Sequence, residues 1–348
     1  MSERPRVVIL GGGGFIGSHL AEDLVDAGYP VRVFDKSNAY WGNVAPLLER
    51  IELREGDFVN QVDLRDALDG CAVAIHLVSA TLPATSNENP IYDVEANVVG
   101  TLRLLDEARR AGTQRLLFIS SGGTVYGRPR RVPIPEDHPT EPLCSYGIGK
   151  LAIEKYLALY QHLHGLRSTV LRFANPFGER QNPGAHQGAV AVFLGRVLAG
   201  LPIEIWGDGE VMRDYIYIKD AVTAFRRVLE TDPPGAVFNV GSGRGTTLNQ
   251  LIERIERVTG RAVAVVRRPG RALDVPVNVL DTTRLREATG WEPAWSMDEG
   301  LLRTWRWLVA AYGQNPAGPA VGESAAARPG DDGLSDGAPA GGAGGDRA

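Results

Sequence analysis

Tyr146 and Lys150 stand four residues apart in the stretch SYGIGK. On a helix such a pair shares one face, one turn apart. An ammonium beside a phenol lowers its pKa from about 10 toward the working pH and makes it a usable acid/base, while the same lysine can hold a ribose hydroxyl. Lys150 is one of only four lysines among 37 basic residues, in a chain that otherwise uses arginine. A second group lies near the start, where Gly11, Gly14 and Gly17 fall in GGGGFIGSHL with the spacing G-x-x-G-x-x-G. Glycines there permit a tight turn and a close backbone approach, so that a pyrophosphate can sit on the free N–H groups and positive end of the next helix. Asp35 ends a second apolar run about 20 residues on, where a carboxylate binds the ribose 2′-OH of NAD and repels the 2′-phosphate of NADP. Lys36 softens that preference without reversing it. NAD is therefore the expected cofactor, with NADP the lesser alternative.

Elements of a regular rhythm must hold these groups. Arg6 to Leu10, Val31 to Asp35, Val73 to Val78, Leu116 to Ser121 and Ser168 to Phe173 read as short strands. Gly17 to Ala27, Val94 to Ala111 and Tyr146 to His164 read as helices. Continuous apolar strands alternating with helices predict an α/β fold, a Rossmann-type doubly wound parallel sheet covered on both faces, with a smaller α/β substrate-binding domain. The nucleotide-binding domain is expected over residues 1–178, with 220–245 returning to it, and the smaller domain over 179–312. From Gly313 to Ala348, Gly, Ala and Pro make 23 of 36 residues. Such a segment cannot bury enough apolar surface to offset its ordering entropy and is expected to be a disordered tail.

The chain's 348 residues, 43% hydrophobic with a formal net charge of -5, suit a globular protein of two domains. Two cysteines exclude a disulfide framework, and six scattered histidines show no ligand spacing, so no metal is expected. A reducing, cytoplasmic setting follows, with neither a secretory h-region after Met1 nor the roughly 18 apolar residues of a membrane span. No basic-aromatic stripe is present, so nucleic acid is not an expected partner.

Beyond these patterns the sequence resembles a known family from about Arg6 to Trp307. The resemblance rests on GGGGFIGSHL, GDF at 56–58, IHLVSA at 75–80, SSGGTVYG at 120–127, SYGIGK, LRFANPFGERQ at 171–181, WGDGEVMRDYIYIKD at 206–220, FNVGSG at 238–243 and GWEP at 290–293. These are similar to the motifs of the extended short-chain dehydrogenase/reductases, and within them the NAD-dependent nucleotide-sugar epimerases and dehydratases. The resemblance implies that Phe15 and Ile16 join the glycines at the cofactor, and that Asp57 and Phe58 meet the adenine edge. It places Leu77, Val78 and Ser79 under the pyrophosphate and ribose with Asn97 as their helix-borne neighbour, and Ser120 and Phe173 along the nicotinamide. It implies that Tyr146 as phenolate takes the C4 hydroxyl proton while hydride passes to NAD, giving a 4-keto sugar that swings over and is reduced on its other face. A homodimer through Val94 to Ala111 and Tyr146 to His164 is also implied.

One catalytic position departs from the family. Four residues before the Tyr of its V-Y-G motif the family carries Ser or Thr, whose hydroxyl bonds the reacting sugar oxygen; here that position is Gly122. Ser121, Thr124 or an ordered water must replace the hydroxyl, or it is absent. Thr124 is favoured, because residues two apart on an extended segment point to one side. The 4,6-dehydratases carry an Asp-Glu pair, and the decarboxylases a Glu, where this chain has Gly123 and Thr124. Simple epimerisation at C4 is the reading left standing; a dehydratase, a decarboxylase or a non-catalytic nucleotide sensor is the alternative.

For the substrate, Arg213 and Arg271 resemble the family's diphosphate clamp, suited by the guanidinium fork. Asp274 resembles the ribose-binding acid, Trp206 the aromatic stacked on uracil, and Asn175 an amide that meets the diphosphate. Some family members place a bulky Tyr at the position of Asn278 to exclude N-acetylated sugars, so an N-acetylhexosamine or hexuronate is not excluded here. The expected partner is thus a nucleotide sugar, with UDP the expected carrier.

Overall fold

The first apolar run, Val7–Leu10 (β1), is entirely buried, and its alternate side chains feed two separate cores. Val7 and Ile9 join one cluster and Val8 and Leu10 the other, as a strand covered on both faces requires. A computed structural model describes residues 4–83, 85–185, 187–233, 236–270 and 275–313. Arg271, Asp274 and the tail beyond Gly313 lie outside the described residues.

After β1 come α1 (Phe15–Asp26), β2 (Val31–Asp35), β3 (Ile51–Glu55), α2 (Gln61–Leu68) and β4 (Val73–His76). The chain continues through α3 (Pro90–Asp93), a π-helical segment over Val94–Val99, α4 (Gly100–Arg110), β5 (Arg115–Ser121), α5 (Ser145–His164) and β6 (Arg167–Phe173). Then follow β7 (Asn175–Phe177), α6 (Ala189–Leu198), β8 (Ile203–Trp206), β9 (Met212–Tyr217), α7 (Ile218–Thr231) and β10 (Val237–Val240). The last described elements are β11 (Gly245–Thr247), α8 (Leu248–Thr259), β12 (Val265–Arg268), β13 (Val277–Asn278), α9 (Thr283–Thr289) and α10 (Met297–Tyr312).

Seven parallel strands form the central sheet in the order β10-β6-β5-β4-β1-β2-β3. This is the Rossmann-type α/β fold that the alternating pattern predicts. The order reverses between β1 and β4, which pair with each other while β2 lies on the far side of β1. In open sheets of this kind the crevice at such a reversal, outside the carboxyl ends of the strands, receives the ligand. A smaller sheet is built on β9, which pairs with β7, β11 and β13, while β8 and β12 pair separately.

Two local features differ from the sequence expectation. The helix expected over Val94 to Ala111 begins as six π-helical residues and becomes α-helical only from Gly100. Its Asn97 side chain points inward to the loop after β4, and such a widened turn accommodates an inward polar group. The segment after β5 is not extended: the Thr124 and Val125 N–H groups both donate to the Ser121 carbonyl, folding 122–126 into a turn. The inference that Thr124 shares a side with Gly122 through strand alternation therefore fails, and the direction of Thr124 has to be read from its contacts.

One buried polar chain ties this turn to the sheet. Arg172 on β6 donates to Glu154 on α5 at 2.7 Å and 3.1 Å, and Ser120 donates its hydroxyl to Glu154 at 2.5 Å. Arg172 also reaches the Tyr126 hydroxyl at 3.0 Å, which donates to Asn239 on β10 at 2.7 Å. Burial pushes the Tyr126 phenol up to about 12, so it stays a donor at every ordinary pH. Removing one partner of a buried ion pair leaves an uncompensated charge. Arg172→Met is expected to cost about 3–5 kcal/mol of stability, read as a lowered midpoint in chemical denaturation, and adding Glu154→Leu should restore part of the loss.

Candidate active site

The glycine turn is shaped by packing as much as by ligand. Gly11 has φ +85, a left-handed conformation, and a Cβ at Gly17 would fall 2.3 Å from the Gly11 carbonyl oxygen. The α1 start therefore presses directly on the turn, with Gly14 at the N-cap supplying no side-chain cap and Phe15 and Ile16 half-buried behind it. Those N–H groups suit a pyrophosphate. Asp35 accepts from the Gly13 N–H at 3.0 Å and the Lys36 N–H at 2.9 Å, which aims its carboxylate at the same turn. Burial raises Asp35 above its ordinary value against these two donors. Lys36 itself is exposed.

On the other side of the crevice Leu77 and Val78 cross close to Gly11, where a Cβ would meet the Val78 nitrogen at 3.3 Å. The Ser79 hydroxyl donates to the Thr81 carbonyl at 3.1 Å. Asn97 accepts from the Ala80 N–H at 2.9 Å, so it fixes the loop under the site from below. Asp57 is exposed beside Asp35, whose carbonyl accepts from the Gly56 N–H at 3.0 Å.

Three side chains do not stand where the resemblance puts them. The Phe58 ring is buried and stacked on His76 at 4.8 Å, so only the backbone there can meet an adenine edge. Phe173 is buried and stacked on Phe225 at 5.2 Å, on the core side of β6. Ser120 is buried with its hydroxyl committed to Glu154. They support the floor of the crevice rather than line it.

Tyr146 and Lys150 lie in the first turns of α5 on one face, the Lys150 ammonium 5.5 Å from the Tyr146 ring centroid and 4.7 Å from that of Phe118. Lys150 donates to the Ile119 carbonyl at 3.1 Å. The expected direction of the tyrosine pKa is not found in the protein alone. Burial pushes the Tyr146 phenol up to about 12 and draws Lys150 down to about 8. Desolvation disfavours both charged forms, and the lysine sits over the ring rather than at the hydroxyl. An acidic phenol in this pocket thus requires further positive charge.

Beside them, the Thr124 hydroxyl is buried with no partner among the described residues, and a Cβ at Gly147 would lie 3.2 Å from the Thr124 Cβ. Thr124 therefore packs on the first turn of α5 next to Tyr146. Ser121 ends β5, paired with Phe173. Asn278, buried on β13, donates to the Gly122 carbonyl at 3.0 Å while its Oδ1 has no partner.

The substrate half gathers at the smaller sheet. Trp206, 39% exposed, borders a cavity of about 340 Å³ with Gly207, Glu210, Gly270 and Pro276. Arg213 is held by the Met212 and Val275 carbonyls at 2.9 Å and 2.7 Å, and Asn175 donates to the Asp214 carbonyl at 2.9 Å. Asp214, directly after Arg213 in the RDY motif, is fully buried and accepts from Ser242, Gly243 and Leu280.

The family model described as the NAD dependent epimerase/dehydratase family matches residues 7–241. This chain belongs to that family. It is 36% identical over 304 residues to a UDP-glucose 4-epimerase of Mycolicibacterium smegmatis, covering 86% of this chain and 97% of the relative. The solved UDP-glucose 4-epimerase of Thermotoga maritima with UDP-glucose has a TM-score of 0.83 and 36% identity, over 88% of this chain and 99% of that one. The UDP-N-acetylglucosamine 4-epimerase of Methanobrevibacter ruminantium, in complex with UDP-N-acetylmuramic acid, has a TM-score of 0.83 and 28% identity over 89% and 99%.

NAD is the cofactor of this epimerase/dehydratase chain, and the glycine cradle fits it: Gly14 at the helix start is exposed, a side chain at Gly17 would strike the Gly11 carbonyl, and Asp35 bonds the Gly13 N–H of the same turn. When bound, NAD supplies a hydride acceptor and a cationic ring. Gly11, Gly14, Asp35, Leu77 to Ser79 and Lys150 would hold it, and a positive charge near Tyr146 favours the phenolate that burial alone opposes.

Gly122 is not open space. A Cβ there would lie 2.6 Å from Cδ1 of the fully buried Leu280 and 3.2 Å from the Phe173 carbonyl oxygen. Restoring the family hydroxyl by Gly122→Ser is expected to destabilise the protein by about 1–3 kcal/mol without raising turnover. Thermal melts should show that Leu280→Ala and Gly122→Ser together cost less than the sum of their separate effects.

Proposed function

We propose that this chain interconverts the C4 epimers of a UDP-linked sugar. The observation that carries the reading is the buried, unpartnered Thr124 hydroxyl packed beside Tyr146 on a turn that offers no carboxylate. Tyr146 takes and returns the proton of the C4 hydroxyl, Lys150 holds the cofactor ribose and adds positive charge, and Thr124 bonds the reacting oxygen in place of the hydroxyl missing at Gly122. Elimination or decarboxylation needs a carboxylate near C5, and Gly123 and Thr124 supply none.

Trp206 is the base platform, and Arg213 with Asn175 the diphosphate contact, joined by Arg271 and Asp274 from outside the described residues. Asn278 donates to the Gly122 carbonyl and is smaller than a tyrosine, so this position sets no bulky barrier against an N-acetylhexosamine or a hexuronate. Residues 1–178 with 220–245 form the cofactor domain and 179–312 the sugar domain, as β10 within the central sheet and the separate β9 sheet support. No helix among the described residues is long and apolar enough to cross a membrane, and the free thiols Cys71 and Cys144 suit a reducing cytoplasm.

We further propose a homodimer through α5. Ile148, Tyr156, Leu159 and Leu163 form an exposed apolar stripe on it, near Ile91 and Val94.

Incubation with UDP-glucose, UDP-N-acetylglucosamine and UDP-glucuronate should yield from at least one a new isomer of unchanged mass; loss of water or carbon dioxide instead would overturn the epimerase reading. Tyr146→Phe should lower turnover at least about a hundredfold. Thr124→Val should lower it far more than Ser121→Ala, and wild-type turnover in both would remove Thr124 from the mechanism. Light scattering should find Leu159→Glu/Leu163→Glu monomeric where the wild type is dimeric.

A further inference from the structure

The helix that carries Tyr146 is started by residues far away in the chain. Its N-cap residue, Cys144, contributes no side-chain hydrogen bond. The N–H of Ser145 instead donates to Asn87 Oδ1 at 2.9 Å, and that of Tyr146 to the Ser86 hydroxyl at 3.1 Å. Both acceptors sit in the loop that begins under the cofactor at Leu77. Behind them lies Asp93, 1% exposed, at the junction of α3 and the π-helical segment. Its Oδ2 accepts the Ser145 hydroxyl at 2.6 Å. Its Oδ1 accepts the Thr81 hydroxyl and, at 2.9 Å, the Asn97 amide. Asn97 closes the circuit through the Ala80 N–H and the Thr81 hydroxyl.

We propose that Asp93 is a positioning residue that clamps the loop crossing the cofactor site to the first turn of the catalytic helix, so that seating of NAD and placement of Tyr146 are one mechanical event. A carboxylate suits this because three donors converge on it from three elements: Thr81 from the loop, Asn97 from the π-helical turn and Ser145 from α5. An asparagine carries no charge and one acceptor oxygen, so it cannot give all three donors the charge-assisted bonds they have here. Among the described residues nothing else anchors the Ser145 hydroxyl, and the residue after it is the acid/base. Asp93 also acts at a distance: with Glu154 it is one of two carboxylates that oppose the desolvation of Lys150. A widened turn directly after Asp93 lets Asp93 and Asn97 both point into the loop.

The inference rests on the epimerase reading only for its turnover measurement. Four variants separate its arms: Asp93→Asn, Ser145→Ala, Ser145→Thr and Asp93→Asn/Ser145→Ala. Each is measured for NAD affinity by equilibrium dialysis, for thermal stability, and for kcat and sugar KM in the folded, NAD-loaded fraction. Ser145→Ala cuts only the helix side of the clamp. It should lower kcat about tenfold, the loss of one hydrogen bond to a carboxylate, with sugar KM and NAD affinity within about twofold of wild type. Ser145→Thr, which keeps the hydroxyl, should restore kcat. Asp93→Asn removes the charge that holds both sides and should weaken NAD binding about tenfold as well as lowering kcat. The double variant should be no slower than Asp93→Asn alone, because the same link is already cut.

Melting points that fall while kcat and NAD affinity stay at wild-type values would reduce Asp93 to a fold-stabilising residue and overturn the proposal. Additive losses in the double variant would do the same. If Asp93→Asn does not fold, the Ser145→Ala and Ser145→Thr pair decides alone: kcat must fall in the first and recover in the second. If no sugar is turned over, the epimerase reading fails separately, and Asp93→Asn with wild-type NAD affinity would still overturn the clamp.

Discussion

Helix α1 can leave β1 where it does only because Gly17 and Gly11 are in near contact, at a distance that leaves no room for a methyl group. That close approach sets more than a phosphate cradle. It seats Leu20 and Leu24 in the core on one face of the sheet and brings α1 alongside α7. Farther along the same helix, Glu22 receives Arg180 and Lys219 at 3.0 Å and 3.1 Å, and Asp23 receives Arg226 at 2.9 Å. His19 meets the Glu179 carbonyl at 2.9 Å and is held neutral, burial drawing it down to about 3. Residues from the middle and end of the chain are thus registered against the helix that the first glycines position. The sugar-facing half inherits its placement from the cofactor-facing turn.

Around the reacting groups the electrostatics are arranged by burial first. Burial keeps Tyr146 a phenol, whereas Lys150, drawn down only to about 8, is still an ammonium at neutral pH. Acidic neighbours in the described site are either tied by several donors, as Asp214 is, or paired, as Glu154 is with Arg172. A desolvated pocket whose acids are already tied responds strongly to a charge brought in by a ligand, since little counter-charge stands ready to screen it. The reactivity of Tyr146 is therefore conditional on what occupies the crevice.

The sheet, its cofactor crevice and the Tyr-Lys pair were legible because each rests on short-range pattern: apolar runs, glycine spacing, a four-residue helical interval. Residues whose role depends on a partner tens of positions away were not. Phe58 and Phe173 matched family motifs, but motif position does not tell which side of a strand end a ring takes, and both rings went to the core. Strand alternation points to Thr124 although the segment folds as a turn; its hydroxyl nonetheless lies buried beside α5, with no partner among the described residues. Asp93 and Asn97 stand four apart, a pairing visible in the sequence, but nothing local tells that their partners are Ser145 and Ala80.

The start of α5 has a wider meaning for how the catalytic stretch could be reused. Its first two N–H groups are capped by side chains 58 and 60 residues upstream, and its own preceding residue supplies nothing. Grafted into another scaffold, SYGIGK would carry the reactive groups but begin as a fraying helical end. The six-residue motif is not a portable module: its geometry is written in two distant parts of the chain, and drift in either one has to be matched by the other.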